Sequence, residues 1–269
     1  MRNFRSLAML AGVTLLGSAC GGPEATEEKV PTFEEFAAQA IQDEGDVYVF
    51  DGDTAVEGME GLRDYYESFI ANGDVGATEG GLAVYYLNGA DVKWNSTTRQ
   101  NLTYCVSSSS FGSRYSTVVS AMNSATAAWE ATAGVNFIHK STYDSNCTSS
   151  QSNVLFDVRQ TSTTSYLARA FFPNSSRSSR NILISTSAFG NISPWTLTGI
   201  LRHELGHALG FRHEHTRTTS SGCYEDSNWR GLTTYDRYSV MHYPQCNGLQ
   251  TGDLVLTSYD KSGARALYP

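Results

Sequence analysis

Positive charge is scarce in this chain: 19 Lys and Arg stand against 27 Asp and Glu over 269 residues, a formal charge of −8. Nucleic acid and anionic membrane both reward basic patches, so the balance argues against either as the main partner. The deficit is steepest near the N-terminus, where residues 24–79 hold sixteen acidic residues against Lys29 and Arg63. Such asymmetry marks the first third as a unit of its own. Long apolar runs are missing too; the run Leu7 to Leu16 is too short for a stable bilayer anchor. None of the five cysteines forms a CxxC pair, which argues against a cysteine-ligated metal site. There is no internal repeat, and low complexity is confined to the Ser-rich stretches 107–110 and 175–179.

What is present begins with an export signal. Arg2 and Arg5 precede the short apolar run, and Gly17, Ser18 and Ala19 lead into Cys20. Small residues before a Cys are similar to a lipoprotein cleavage site, which makes Cys20 a candidate for lipid attachment. The Gly at 17 departs from that pattern, and ordinary cleavage after Ala19 is the alternative. The remaining four cysteines, Cys105, Cys147, Cys223 and Cys246, suit two disulfides in an exported domain, with three connectivities open. Proximity in sequence favours Cys105–Cys147 and Cys223–Cys246.

The texture of the chain changes near residue 100. Before it come a helical stretch at 32–42, an apolar segment Val47–Phe50, the turn Asp51-Gly52-Asp53, and helical spacing from Leu62 to Ile70. Residues 21–97 contain nothing large enough for an independent core. After it, Leu102–Val106 reads as a strand, and a helix capped by Ser113 runs to Gly134. Short strands are expected at 135–139, 153–159, 167–172 and 181–186. A second helix is expected to open at Ser193-Pro194, with Pro at its first position, and to run to Gly210. The class is α+β: a mixed sheet packed on an early helix and a central helix.

That central helix carries His203-Glu204-Leu205-Gly206-His207, and His213 follows six residues later. Residues four apart lie about 40° apart around a helix, one turn up, so both imidazoles face one point. Leu197, Leu201, Leu205 and Ala208 form the opposite, core-facing stripe. Gly210 lets the chain leave the helix and reverse, which brings His213 round as a third ligand. Three histidines and an open fourth position describe a catalytic zinc, with Glu204 beside it as general base.

The full spacing HExxHxxGxxH resembles the zinc signature of the metzincin metalloproteases. His213-Glu214-His215 is similar to the astacin type, and Ser239-Val240-Met241-His242-Tyr243 resembles the astacin Met-turn. The resemblance implies that Met241 lies beneath the metal and that Tyr243 is a switchable fifth ligand whose hydroxyl binds the oxyanion. Phe50-Asp51-Gly52-Asp53 resembles the prosegment motif in which an aspartate blocks the zinc, which would make Asp53 a latency switch. No cysteine lies between Cys20 and Cys105 to act as a cysteine switch. Thr218-Thr219-Ser220 departs from the astacin pattern, and Leu167 to Pro173 resembles the cleft strand of matrixins as much as that of astacins. The small bacterial HEIGH-type metallopeptidases are an equal match.

The expectation is a secreted zinc endopeptidase made as a latent precursor, with one Zn2+ per chain and the metzincin fold. Its parts are a signal peptide at 1–20, a prosegment at 21–97 and a catalytic domain at 98–269. Protein or peptide is the expected substrate, nucleic acid is not a partner, and membrane contact comes only through a lipid on Cys20. The chain is expected to be a monomer. A zinc amidase acting on cell-wall peptide and a catalytically inactive binding module are the alternatives. His139 reads as a surface strand residue.

Overall fold

The computed structural model describes residues 32–71, 82–217 and 229–269. The export signal, Cys20, Thr218–Ser220 and Cys223 lie outside the described residues. From the N-terminus, Thr32 caps α1 (Phe33–Ala37) in a capping box with Glu35. The helix stops there because Ile41–Asp43 is drawn into β1, pairing antiparallel with β2 (Val47–Phe50), which pairs in turn with β3 (Thr54–Glu57). α2 (Gly58–Ala71) follows, then β4 (Ala83–Leu87) and β5 (Ala90–Asp91).

The main sheet is built from β6 (Leu102–Val106), β7 (Phe137–His139), β8 (Phe156–Thr161), β9 (Ala168–Arg169) and β10 (Asn181–Ser185). A short helix α3 (Ser108–Phe111) and the long α4 (Tyr115–Glu130) connect β6 to β7. The strand order is β7-β6-β8-β10-β9; all pairings are parallel except the last, so β9 is an antiparallel edge strand. α5 (Leu197–Ala208) packs on α4, β11 (Trp229–Gly231) pairs with β4, and α6 (Ser258–Leu267) closes the chain. The large core lies between this sheet and the helices, and takes Leu201, Leu205 and Ala208 from α5 with Val118, Met122 and Trp129 from α4.

Two sequence expectations fail here for local reasons. α5 does not open at Ser193-Pro194, which is a cis peptide. It begins after Thr196, whose hydroxyl accepts from the Gly199 N–H as an N-cap. The strand expected at 167–172 shrinks to two residues. The apolar run Ala170-Phe171-Phe172 leaves the sheet to fill core, with Phe171 against Phe156 and Phe172 against Tyr85 and His207.

Residues 82–97, assigned from sequence to the N-terminal segment, are built into the body of the protein. Leu82, Val84 and Trp94 belong to the large core. β4 pairs with β11 and also holds the chain beyond α5: Tyr85 N–H donates to Gly210 O (2.8 Å) and Arg212 N–H to Ala83 O (2.7 Å). Trp94 Nε1–H caps α5 at Ala208 O (2.8 Å). β2 and β3, by contrast, pack on residues of the main sheet and the chain leading into it. Val47, Val49 and Ala55 cover Tyr166 and Leu183, flanked by the ion pairs Asp43–Arg169 (2.7 Å) and Glu44–Arg159.

Cys105 and Cys147 are joined by a disulfide that ties β6 to the loop after β7. Cys246 is also disulfide-bonded. His139 lies on the edge strand β7 and is half-buried. Its ring stacks on Tyr104 at 5.0 Å and its Nε2 lies 2.9 Å from the buried Asp144, which also accepts from Tyr115 and from Val106 N–H. Among the described residues, no helix is long and apolar enough to cross a membrane.

Candidate metal centre

α5 delivers His203 and His207 one turn apart, both nearly inaccessible to solvent. Their Nδ1–H groups donate to Val240 O (2.7 Å) and Phe211 O (2.8 Å). This fixes each ring and leaves each Nε2 as a lone-pair nitrogen facing the same space. Gly210, at φ +98°, makes the reversal, and β4 holds the returning strand so that His213 arrives opposite. His207 Nε2 and His213 Nε2 lie 3.2 Å apart.

The fourth wall comes from far upstream. Asp53, on the turn between β2 and β3, places Oδ1 2.9 Å from His213 Nε2 and 3.5 Å from His207 Nε2, and Oδ2 3.3 Å from His203 Nε2. Burial alone would raise the Asp53 carboxyl, but the facing imidazoles, His213 first, hold it well below the ordinary range. Burial pushes the His207 imidazole down to about 4, so it stays neutral, the form that binds metal.

These atoms fit zinc. Bonds of 2.0–2.1 Å in a tetrahedron put ligand atoms about 3.3–3.4 Å apart. The Asp53 oxygens lie 2.9–3.5 Å from the three Nε2 atoms, all the donors lie within 4.8 Å of one another, and Asp53 Oδ1 and His203 Nε2 are buried without a hydrogen-bond partner. Close approach without hydrogen-bond geometry is what donors converging on a common cation look like. Three imidazoles and a carboxylate, with no thiolate, form the mixed N/O set that zinc takes.

Glu204 lies beside the ligands. Its Oε2 is buried and unpartnered, and it lines a cavity of about 250 Å³ with His203, Tyr243, Trp195, Ile200 and Leu254. Burial, and next the charge of Asp53, push its carboxyl well above the ordinary value. Tyr243 closes the other side, its ring centroid 4.4 Å from that of His213 and 5.7 Å from that of His203. Gly52 packs so closely that a Cβ there would sit 2.8 Å from the Tyr243 hydroxyl.

Beneath the ligands lies Met241. A Cβ at position 206 would run into its sulfur, so glycine at the centre of the helical motif makes room for the turn. The turn is held by Asp260 in α6, which accepts from the Ser239 hydroxyl (2.6 Å) and the Val240 N–H (2.9 Å). Glu214 N–H donates to Met241 O, and burial lifts the Glu214 carboxyl to about 8. His215 Nδ1 accepts from Tyr243 N–H, and His242 donates to Tyr243 O while accepting from the Tyr235 hydroxyl (2.7 Å). Asp260 and Tyr235 were invisible as site residues in the sequence. Thr257-x-x-Asp260 reads as a helix start, and nothing local ties it to residues 239–240.

Residues 93–240 match the matrixin peptidase family, and the chain belongs to that family. The curated relatives align over a short stretch. High choriolytic enzyme 2 of Oryzias latipes is 38% identical over 63 residues, 17% of this chain and 22% of that protein. An astacin-like metalloendopeptidase of Coturnix japonica is 44% identical over 63 residues, 17% of this chain and 15% of that protein. The alignments thus span under a quarter of those relatives' length. Among solved structures, the hatching enzyme zinc-protease high choriolytic enzyme 1 from Oryzias latipes has a TM-score of 0.43 at 19% identity, over 66% of this chain and 94% of that one. Myroilysin has a TM-score of 0.44 at 18% identity, over 70% and 98%.

Proposed function

We propose that this protein is an exported zinc endopeptidase made as a latent precursor. The observation that carries the reading is the convergence of His203, His207, His213 and Asp53 on one buried point, with the unpartnered Oε2 of Glu204 beside it and Glu204 lining a cavity. His203, His207 and His213 would hold the ion. When bound, zinc supplies a Lewis acid that acidifies water and polarises a carbonyl. Glu204 is placed to take a proton from the attacking water and pass it to the departing amide nitrogen. Tyr243 is placed to donate its hydroxyl to the developing oxyanion, and Met241 supports the ligands from below. A peptide chain would lie along the edge strand β9, pairing by backbone hydrogen bonds.

Asp53 accounts for latency. A carboxylate is a competent zinc ligand, and held by its own chain it has a high effective concentration at the site. Its approach depends on Gly52 lying flat against Tyr243. The packing of Leu82, Val84 and Trp94 supports a boundary upstream of Leu82, so that β4 stays with the enzyme after the N-terminal segment is cut. Export through residues 1–20, and a lipid on Cys20, complete the proposal; such a lipid would tether the precursor and release the enzyme on cleavage.

The test is digestion of casein by the processed protein, with and without a chelator, beside peptidoglycan as a second substrate. Chelator-sensitive cleavage of casein is expected. Release of cell-wall peptide without casein cleavage would replace the endopeptidase by an amidase. Activity on neither, with zinc bound, would leave a binding module.

A further inference from the structure

The N-terminal segment reaches the catalytic body at a second point, away from the histidines. Asp43 Oδ2 accepts from the Tyr166 hydroxyl at 2.5 Å and from Arg169 Nε at 2.7 Å. Arg169 has no exposed surface; its Nη1 donates to Asn181 Oδ1 (2.7 Å), and its Nη2 is buried without a partner. A buried guanidinium needs a carboxylate, and Asn181 offers only a neutral oxygen. Among the described residues, the one carboxylate bonded to it is Asp43, from the segment that the proposed maturation removes.

The place of this pair matters. Tyr166 and Ala168 line the same cavity as His203 and Glu204, and Arg169 follows Ala168 on the edge strand. A substrate laid along β9 sends successive side chains to opposite faces. A side chain on the face of Tyr166 and Arg169 would take the space that Asp43 fills.

We propose that Tyr166 and Arg169 form a carboxylate-binding subsite of the mature enzyme that selects an Asp or Glu side chain close to the scissile bond, and that Asp43 is its stand-in in the precursor. This rests on the peptidase reading. The N-terminal segment then inhibits twice, at the metal through Asp53 and at the subsite through Asp43. Removing the segment takes the Asp43 carboxylate away from Arg169 and Tyr166, so an acidic substrate is favoured over its amide by the charge-assisted bonds it restores.

The experiment uses precursor folded whole and then processed, in two arms. In the first, kcat/KM is measured for peptide pairs differing only as Glu/Gln or Asp/Asn at each position flanking the scissile bond. Acid should be favoured at one position by about ten- to a hundredfold, the range of a hydrogen bond to a charged group. Tyr166→Phe, which keeps the ring packing, should cut that preference by about tenfold while sparing the amide peptide; Arg169→Gln should abolish it. In the second arm, binding of a synthetic peptide of residues 38–50 is compared with its Asp43→Asn form by fluorescence anisotropy, which needs no turnover. The aspartate form should bind about tenfold more tightly. Acid and amide treated alike in the first arm, while peptides are cut, overturns the subsite. Discrimination in the second arm with no peptide cut at all overturns the peptidase reading and leaves the carboxylate site standing; no discrimination in either arm overturns the site.

Discussion

Asp53 Oδ1 lies 2.9 Å from His213 Nε2, although 160 residues separate the two in the chain. A turn in a peripheral three-stranded sheet thereby reaches the centre of the metal site. If that contact holds the site closed, Asp53→Ala should give a full-length chain with measurable peptidase activity before any processing. Asp51→Asn, which removes a charge from the same turn while tolerating its left-handed backbone (φ 49°), should stay latent. Gly52→Ala should behave like Asp53→Ala, because a Cβ meets the Tyr243 hydroxyl and the glycine sits at φ +94°. Full latency in zinc-loaded Asp53→Ala would mean that bulk alone covers the cleft.

Metal and base should separate. His207→Ala removes a ligand and should lower zinc content measured by elemental analysis, whereas Glu204→Gln should retain zinc and lose most turnover. Near-normal turnover in Glu204→Gln would remove Glu204 from the mechanism.

Tyr243→Phe keeps the ring against His213 and removes one donor. The expected result is a fall in kcat of about ten- to a thousandfold with little change in KM, the scale of a single oxyanion donor. Steady-state kinetics on one peptide substrate decide it, and an unchanged kcat would leave Tyr243 a packing residue.

Gly206→Ala tests the support beneath the metal. The new methyl would meet the Met241 sulfur and approach Trp129, both packed in the core. Overpacking of this kind costs about 1–3 kcal/mol. A lowered Tm by calorimetry is expected even with zinc saturating; an unchanged Tm would mean that the turn shifts freely.

Acid should loosen the N-terminal segment. Burial alone would raise the Asp43 carboxyl, but the Arg169 charge and Tyr166 hydroxyl outweigh it, and Asp43 is lowered in the docked state. Glu57 is lowered as well: burial opposes the shift, and the Ser176 hydroxyl and N–H outweigh it. Groups with depressed values stabilise docking fully above their ordinary values, about 3.9 and 4.3, and lose that contribution as pH falls through the depressed ones. Hydrogen exchange in β1–β3, corrected for intrinsic rates, should therefore show protection falling below about pH 4. Asp43→Asn should reduce protection at neutral pH and flatten the profile.

The clustered histidines were legible because they obey helix geometry. His203 and His207 stand four apart on a helix whose other face is Leu201, Leu205 and Ala208, and Gly210 announces the reversal to His213. The expected pairing Cys105–Cys147 and the strands β6, β8 and β10 were legible for the same reason: short-range spacing and periodicity carry them. Tertiary contacts decided the rest. The sequence placed the end of the N-terminal segment at 97, yet Leu82, Val84 and Trp94 join the large core because β4 finds partners at β11 and beyond α5. The motif resemblance marked Asp53 as a latency switch, but its approach to within 3.5 Å of three imidazoles exists only in the tertiary structure. The partners that anchor the site, Asp260 under the Met241 turn and Asp43 on Arg169, join residues 20 and 126 apart, and no local pattern encodes which buried charge will meet which. Local periodicity specifies what a helix presents, but the hydrogen bonds to Asp260 and the Asp43–Arg169 ion pair offset the cost of burying those groups, and such partners are settled only when separate elements pack.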